Sequence, residues 1–368
     1  MRIGIIGAGQ LGQMLGHAAR ELGHECFFLD PSEHPPAATA GPVVQAPFDD
    51  AVALSVLAEK CDVLTYEFEN VPVDALEQLD TPVPIYPPLD ALRQAQDRLA
   101  EKRLFERLHI ALPKYRAIDS AADIEAAVDG IGLPLVIKTR RLGYDGKGQF
   151  VLEDKVQGEA VWHELGAGEL IAEQWVDFDF EVSAIGVRNT EGDVRTYCLT
   201  RNEHAGGILR VSRAPVDDPE LTKRAAGYMQ TMLDHLEYVG VLALELFVAG
   251  TDLLANEFAP RVHNSGHWTI EGAETSQFAN HIRAITGQAP GPVDTAGCAG
   301  MVNLIGEIPD SVRQLDFGTL HDYGKSPRPG RKLGHITVVE DTADRRDLRV
   351  NEIRDSVTNS TSADGTGA

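Results

Sequence analysis

Two glutamates twelve residues apart interrupt otherwise apolar runs, in Val241-Leu-Ala-Leu-Glu245-Leu-Phe247 and, after a short turn, Leu253-Leu-Ala-Asn256-Glu257. The alternation reads as a β-hairpin. Centred on Thr251, that hairpin sets Glu245 directly opposite Glu257 on one face. Like charges facing each other across a sheet are destabilising, so the pair calls for a cation between them. Hard divalent cations take oxygen ligands, and the chemistry expected is a magnesium site, with manganese as an alternative. Two solvated glutamates on an exposed face are the competing reading, but so apolar a run belongs to a buried strand.

Other stretches are also rich in chemistry. Lys138 sits inside the apolar strand Leu135–Thr139, where it either snorkels to solvent or meets a phosphate. The strand leads into Gly143-Tyr144-Asp145-Gly146-Lys147-Gly148-Gln149 and back into a strand over 149–152. This is not a Walker loop, because G-x-x-x-x-G-K-[ST] is missing. A glycine-rich hairpin can cover a triphosphate, and an ordinary turn uses the same residues. Phe258-Ala-Pro-Arg261-Val-His263-Asn264-Ser265-Gly-His-Trp268 is dense in donors and poor in helix or strand signal, the mark of a functional loop. Lys325, Arg328, Arg331 and Lys332 fall within eight residues of a chain whose net charge is −23. Phosphate recognition explains such a cluster, and a solvated basic loop is its plain alternative. Gly7-Ala-Gly9-Gln10-Leu11-Gly12, with Asp30 downstream, fits a dinucleotide fingerprint. Physically it offers backbone N–H groups at a helix start to any phosphate, a sugar phosphate included; a tight turn also needs such glycines. Glu67 and Glu69 follow the strand Val63–Tyr66, at the edge where parallel sheets bind ligands, and suit an amine or hydroxyls, or else helix capping.

The elements that position these residues begin with alternating strands and helices over residues 1–90: strands at 2–6, 26–29 and 63–66, helices at 11–22 and 51–60. That is a doubly wound parallel sheet of the α/β class. A helix over 89–108 follows, its charges read as a solvated face. Strands at 170–174 and 180–187, with a helix at 219–236, lead to the hairpin. Glu173-Gln174-Trp175-Val176 and Glu181 have the rhythm of a segment holding adenine by its backbone and ribose by an acid. The polar stretch after residue 350 is expected as a disordered tail.

Bulk properties narrow the function. A chain of 368 residues implies two or three domains. Its acidity, with nine Lys against 24 Arg, disfavours nucleic acid as a partner. No apolar run approaches a membrane span, and strand-forming sequence at Arg2 leaves no signal-peptide pattern, so a cytoplasmic protein is expected. The four cysteines show no metal spacing and read as free thiols.

The order of these motifs resembles the ATP-grasp superfamily over residues 1 to about 340. The resemblance is most specific to the N5-carboxyaminoimidazole ribonucleotide synthetase family, on the strings 143–149, 256–268 and 328–332. It implies a pre-ATP-grasp sheet (1–90), an α+β ATP-grasp domain (91–290) with central and lid parts, and a small C-terminal domain (291–350). It also implies the activity: ATP and bicarbonate give carboxyphosphate, which carboxylates 5-aminoimidazole ribonucleotide. A homodimer is the family expectation. By the same resemblance Arg98, Lys138 and the 143–149 loop contact ATP phosphates. Glu173–Val176, Glu181 and His204 surround the nucleoside, while Asn256, Glu257 and Glu245 serve the metal. Arg261 stabilises the transferring phosphoryl group, and Asp145 is the candidate proton acceptor. Glu67, Tyr144, His263, Asn264 and Ser265 face the acceptor; Gln10, Leu11, Lys325, Arg331 and Lys332 take its phosphate. Many superfamily members carry asparagine where this chain has Ala259, so ligation rests on the two glutamates. Three rivals remain at this level: formate-dependent glycinamide ribonucleotide transformylase, a nicotinamide-dependent dehydrogenase, and a non-catalytic nucleotide-binding protein.

Overall fold

A computed structural model describes residues 1–143 and 148–363. The first sheet is parallel: β1 (Arg2–Ile6), β2 (Glu25–Asp30), β3 (Val43–Gln45) and β4 (Val63–Tyr66), in the order β3-β2-β1-β4. The helix Gln10–Glu21 packs Leu11, Met14 and Leu15 against it. The expected helix over 89–108 is instead two, Leu89–Ala95 and Arg98–Arg107. Asp97 separates them: its carboxylate accepts from the N–H groups of Leu99 (2.9 Å) and Ala100 (3.3 Å) as an N-cap.

A second sheet, antiparallel, forms a lid: β5 (Tyr115–Ile118), β6 (Leu135–Thr139), β7 (Gln149–Leu152) and β8 (Leu170–Gln174), in the order β5-β8-β6-β7. The chain enters and leaves it side by side, with Tyr115 paired to Glu173 and the Gln174 N–H donating to the Lys114 carbonyl at 2.8 Å. Its own core is built on Ile118, Ile124, Leu135, Ile137 and Leu170. Ion pairing of Arg140 with Asp97 (2.5 Å) and the Arg98 N–H to Arg140 carbonyl bond (2.9 Å) tie the lid to the second of the two helices.

The third sheet contains β9 (Phe180–Arg188), β10 (Val194–Thr196), β11 (Thr200–Ala205), β12 (Ile208–Ala214), β13 (Gly240–Ala249), β14 (Asp252–Ala259), β15 (Cys298–Ile305), β16 (Thr319–Asp322) and β17 (Lys332–Glu340). Its order is β14-β13-β9-β11-β12-β15-β17-β16, with β10 beside β9. The C-terminal strands therefore continue the same sheet as β9–β14 through β12–β15 pairing, and the C-terminal region has no separate sheet of its own among the described residues. Of the tail expected after residue 350, residues 351–363 continue a helix, and residues 364–368 lie outside the described residues. The last helix runs Ala343–Ala363, with Val350 and Ile353 buried against the sheet.

Alternation along β13 sends side chains into two cores. Leu242, Leu244 and Leu246 join Met229 and Leu233 on one face; Val241 and Ala243 join Trp268 and Ile282 on the other. Each fully buried leucine contributes about 1.5–3 kcal/mol. A one-residue slip would turn all three to the wrong face, so the register is firmly set.

Candidate active site

A cleft of about 780 Å³ opens between the lid, the third sheet and the chain following β4. It gathers Arg98, Lys138, Glu173, Glu245, Glu257 and Arg261, which lie far apart in sequence. Gly143, Gln149, Gln174, Trp175, Val176, Glu181, His204, Asn256, His263 and Lys332, all candidate site residues from the sequence, also line it. Tyr144, Asp145, Gly146 and Lys147 lie outside the described residues.

At one end, Lys138 on β6 donates to Glu173 Oε2 on β8 at 3.0 Å. Lys102 lies 3.4 Å from the same oxygen. Burial alone would raise the Glu173 pKa, but the two lysines, helped by Arg98, hold it down at about 2. Burial conversely lowers Lys138, with Glu173 opposing. Farther along the wall, His204 Nδ1 is 2.5 Å from Glu181. Burial would lower that histidine, yet the bond to Glu181 and the charge of Glu245 leave it raised.

At the other end Glu245 and Glu257 are direct cross-strand partners. The expected pairing holds, although the turn is not centred on Thr251. Ala249 pairs Asp252, so the turn is Gly250-Thr251, and a bulge between the Leu246–Ala255 and Glu245–Glu257 pairs restores the opposition. Burial and the facing Glu257 raise Glu245. Burial would raise Glu257 too, but Arg98, with Nη1 at 3.1 Å, and Lys138 lower it. Among the described residues no cluster of three or more His, Cys, Asp or Glu has the geometry of a complete metal cage. A magnesium ion bound through one or two carboxylates and substrate phosphates needs no such cage, and two opposed carboxylates, one with a raised pKa, fit that role.

Arg261 pairs with Glu69 at 2.5 Å across to the first domain, and its Nε is buried without a hydrogen-bond partner. His263 Nδ1 is 2.9 Å from Ser265 Oγ and 3.4 Å from Glu245. Ser265 is fully buried behind that ring, and the Asn264 amide is engaged with Asn303 at 3.0 and 2.6 Å. The positions expected to face an acceptor therefore separate: His263 reaches the cleft, while Asn264 and Ser265 support the loop.

The glycine turn differs most from expectation. The Glu67 carboxylate is buried in it and accepts from the N–H groups of Gly9 and Gly12. A Cβ at Gly7 would fall 2.4 Å from Glu67 Cγ, so the glycines admit this side chain as much as any phosphate. Glu67 is thus committed to backbone, and the turn keeps only the N–H groups of Gln10 and Leu11 for an anion. Lys325 does come to it, donating to Gln10 Oε1. Arg331 donates to the Ser326 carbonyl at 3.2 Å, within its own loop.

Sequence reading missed Glu101 and Lys102, which belong to the supposedly solvated face yet are 3% and 2% exposed. Arg98, Lys102 and Phe105 recur at i, i+4 and i+7, the helical spacing that could have marked a buried face.

Comparison with known proteins agrees with this architecture. Residues 1–96 match the ribonucleotide synthetase preATP-grasp domain, 103–278 the ATP-grasp domain, and 299–349 the phosphoribosylaminoimidazole carboxylase C-terminal domain. The N5-carboxyaminoimidazole ribonucleotide synthase of Pseudomonas aeruginosa is 46% identical over 340 residues, covering 92% of this chain and 94% of that protein. This chain belongs to the N5-carboxyaminoimidazole ribonucleotide synthase family. The Thermus thermophilus family member superposes with a TM-score of 0.92 at 46% identity, over 97% of this chain and 98% of that one. The Aspergillus clavatus member, in complex with ADP and 5-aminoimidazole ribonucleotide, gives 0.90 at 27% identity, with 97% and 98% coverage.

Proposed function

We propose that this chain is an ATP-dependent carbon–nitrogen ligase of purine biosynthesis. It carboxylates the exocyclic amine of 5-aminoimidazole ribonucleotide with bicarbonate and releases ADP and phosphate. The observation that carries the reading is the sharing of one cleft by Lys138, the facing glutamates, Arg261 and, from β17, Lys332. A bicarbonate oxygen attacks the γ-phosphoryl group and the bond to ADP breaks, giving carboxyphosphate; its carboxyl carbon, directly or as CO2, then takes the amine of the ribonucleotide as phosphate leaves. Lys138, Arg98 and Arg261 supply positive charge to the transferring group, since phosphoryl transfer is governed by positioning and neutralisation. Glu245 and Glu257 would hold magnesium, which neutralises the phosphate oxygens when bound. His263 and Lys332 would meet the acceptor, with Lys325, Arg331 and the Gln10–Leu11 backbone at its phosphate. Carboxyphosphate hydrolyses readily, so the loop 143–149 would exclude water. Asp145, within it, would accept the amine proton. The homodimer and cytoplasmic location expected from the sequence stay part of this proposal.

The test is phosphate release with ATP, bicarbonate and aminoimidazole ribonucleotide. Turnover is expected only with all three. Stimulation by glycinamide ribonucleotide plus formate instead would replace this reading with the transformylase.

A further inference from the structure

The bulge in β14 decides where Glu257 points. From Ala249–Asp252 to Leu246–Ala255 the hairpin keeps one register. Continued regularly, it would set Asn256 opposite Glu245 and Glu257 opposite Leu244, placing Glu257 on the face of Leu253 and Ala255, inside the core with Met229. One extra residue, Asn256, changes this. Beyond it Phe258 takes the core position and Glu257 turns to the cleft beside Glu245. A bulge leaves ladder groups unpaired, and β14 is also the sheet's edge strand. Its outer backbone groups therefore need partners from elsewhere.

The helix Arg98–Arg107 supplies them. Lys102 Nζ donates to the Asn256 carbonyl, and the Phe258 N–H donates to Glu101 Oε1 at 2.7 Å. The two contacts flank Glu257 on either side. Both side chains are almost wholly buried, and Lys102 is balanced by Glu173 at 3.4 Å. We infer that Glu101 and Lys102 are positioning residues: they fix the Asn256 bulge and so keep Glu257 in register as a divalent-cation ligand. The inference rests on the reading of Glu245 and Glu257 as the metal carboxylates.

Two readouts test it, neither of which needs turnover. The first is Mn2+ affinity of the ATP complex, by electron paramagnetic resonance of free Mn2+. The second is backbone amide exchange over residues 255–259 in metal-free protein. Glu101→Leu and Lys102→Met are expected to weaken Mn2+ binding by about 10–100-fold, the range for residues that orient metal ligands, and to speed exchange at Phe258. Glu101→Gln keeps the acceptor oxygen and is expected to stay within threefold of the parent. Should Glu101→Leu fail to fold, Glu101→Asp, one methylene shorter, probes the same contact and is expected to weaken Mn2+ binding and speed exchange likewise. Unchanged Mn2+ affinity in Lys102→Met and in Glu101→Leu or its replacement overturns the inference, as does equal loss in Glu101→Gln. Glu257→Gln is the control for the underlying reading: if it binds Mn2+ like the parent, the carboxylate assignment itself is what fails.

Discussion

The two ends of the cleft solve the problem of a buried acid in opposite ways. Glu173 lies between two lysines and is held down to a pKa of about 2. Glu245, also buried, faces another carboxylate and is pushed up. The first acid is complete within the protein, because its countercharges are Lys102 and Lys138. The second faces a like charge and, under the proposed function, is completed by a cation. One cleft thus contains a structural anion and a proposed ligand anion, and partner charge rather than depth of burial distinguishes them.

The largest expected effect comes from breaking the completed end. Glu173→Leu leaves Lys102 and Lys138 buried without their shared partner, and such a change costs about 3–5 kcal/mol, read by denaturant unfolding. A loss under about 1 kcal/mol would show that solvent already screens this site. At the incomplete end, Glu245→Gln should leave stability near the parent's, whereas Glu257→Gln also strips Arg98 of its partner at 3.1 Å and should cost part of what Glu173→Leu does. Either change should lower phosphoryl-transfer turnover on the order of 10²–10³-fold, as loss of a transition-state charge contact does. Magnesium affinity measured in the same variants checks the assignment, and parental affinity in both contradicts it.

The pH dependence sharpens the contrast. The Glu173 pKa is depressed from 4.5 to about 2 in the folded chain. Below pH 4.5 the unfolded state therefore binds more protons at this site, and stability falls as pH drops toward 2. Above pH 4.5 the contribution is fully present. Glu173→Gln should flatten the acid limb of a stability–pH curve, and an unchanged limb would assign it to other carboxylates. A smaller effect is expected from Arg98→Met, which removes the cation 3.1 Å from Glu257. The KM for MgATP should rise by about tenfold, the effect of about 1.4 kcal/mol, with little change in melting temperature.

Much of the site was legible because its residues contradict their surroundings. Glu245 in an apolar strand and Lys138 in another are visible as interruptions of a period-two pattern. The parallel first sheet followed from strand and helix alternation for the same reason. What the sequence hid was backbone geometry. The bulge at Asn256 has no residue signature, and the burial of Glu101 and Lys102 depends on an edge strand that the chain reaches some 150 residues later. The turn contact of Glu67 was hidden because a carboxylate at a strand end suits a ligand and a glycine turn equally well. The last helix was read as a tail although Val350, Ile353 and Val357 recur at helical spacing inside polar sequence.

The adjacency of the lid's two ends has a consequence for engineering. Residues 115–174 leave and rejoin the chain at paired positions and contain their own core. This segment is a cassette, exchangeable between relatives without lengthening any connection. Since it contributes Lys138 and Glu173 while the residues proposed for the acceptor's phosphate, Lys325, Arg331 and Lys332, stay with the recipient, a graft should change the KM for ATP more than the KM for the ribonucleotide. Comparing KM for ATP and for the ribonucleotide in such chimeras would show whether the two traits separate, and their moving together would refute the modular view.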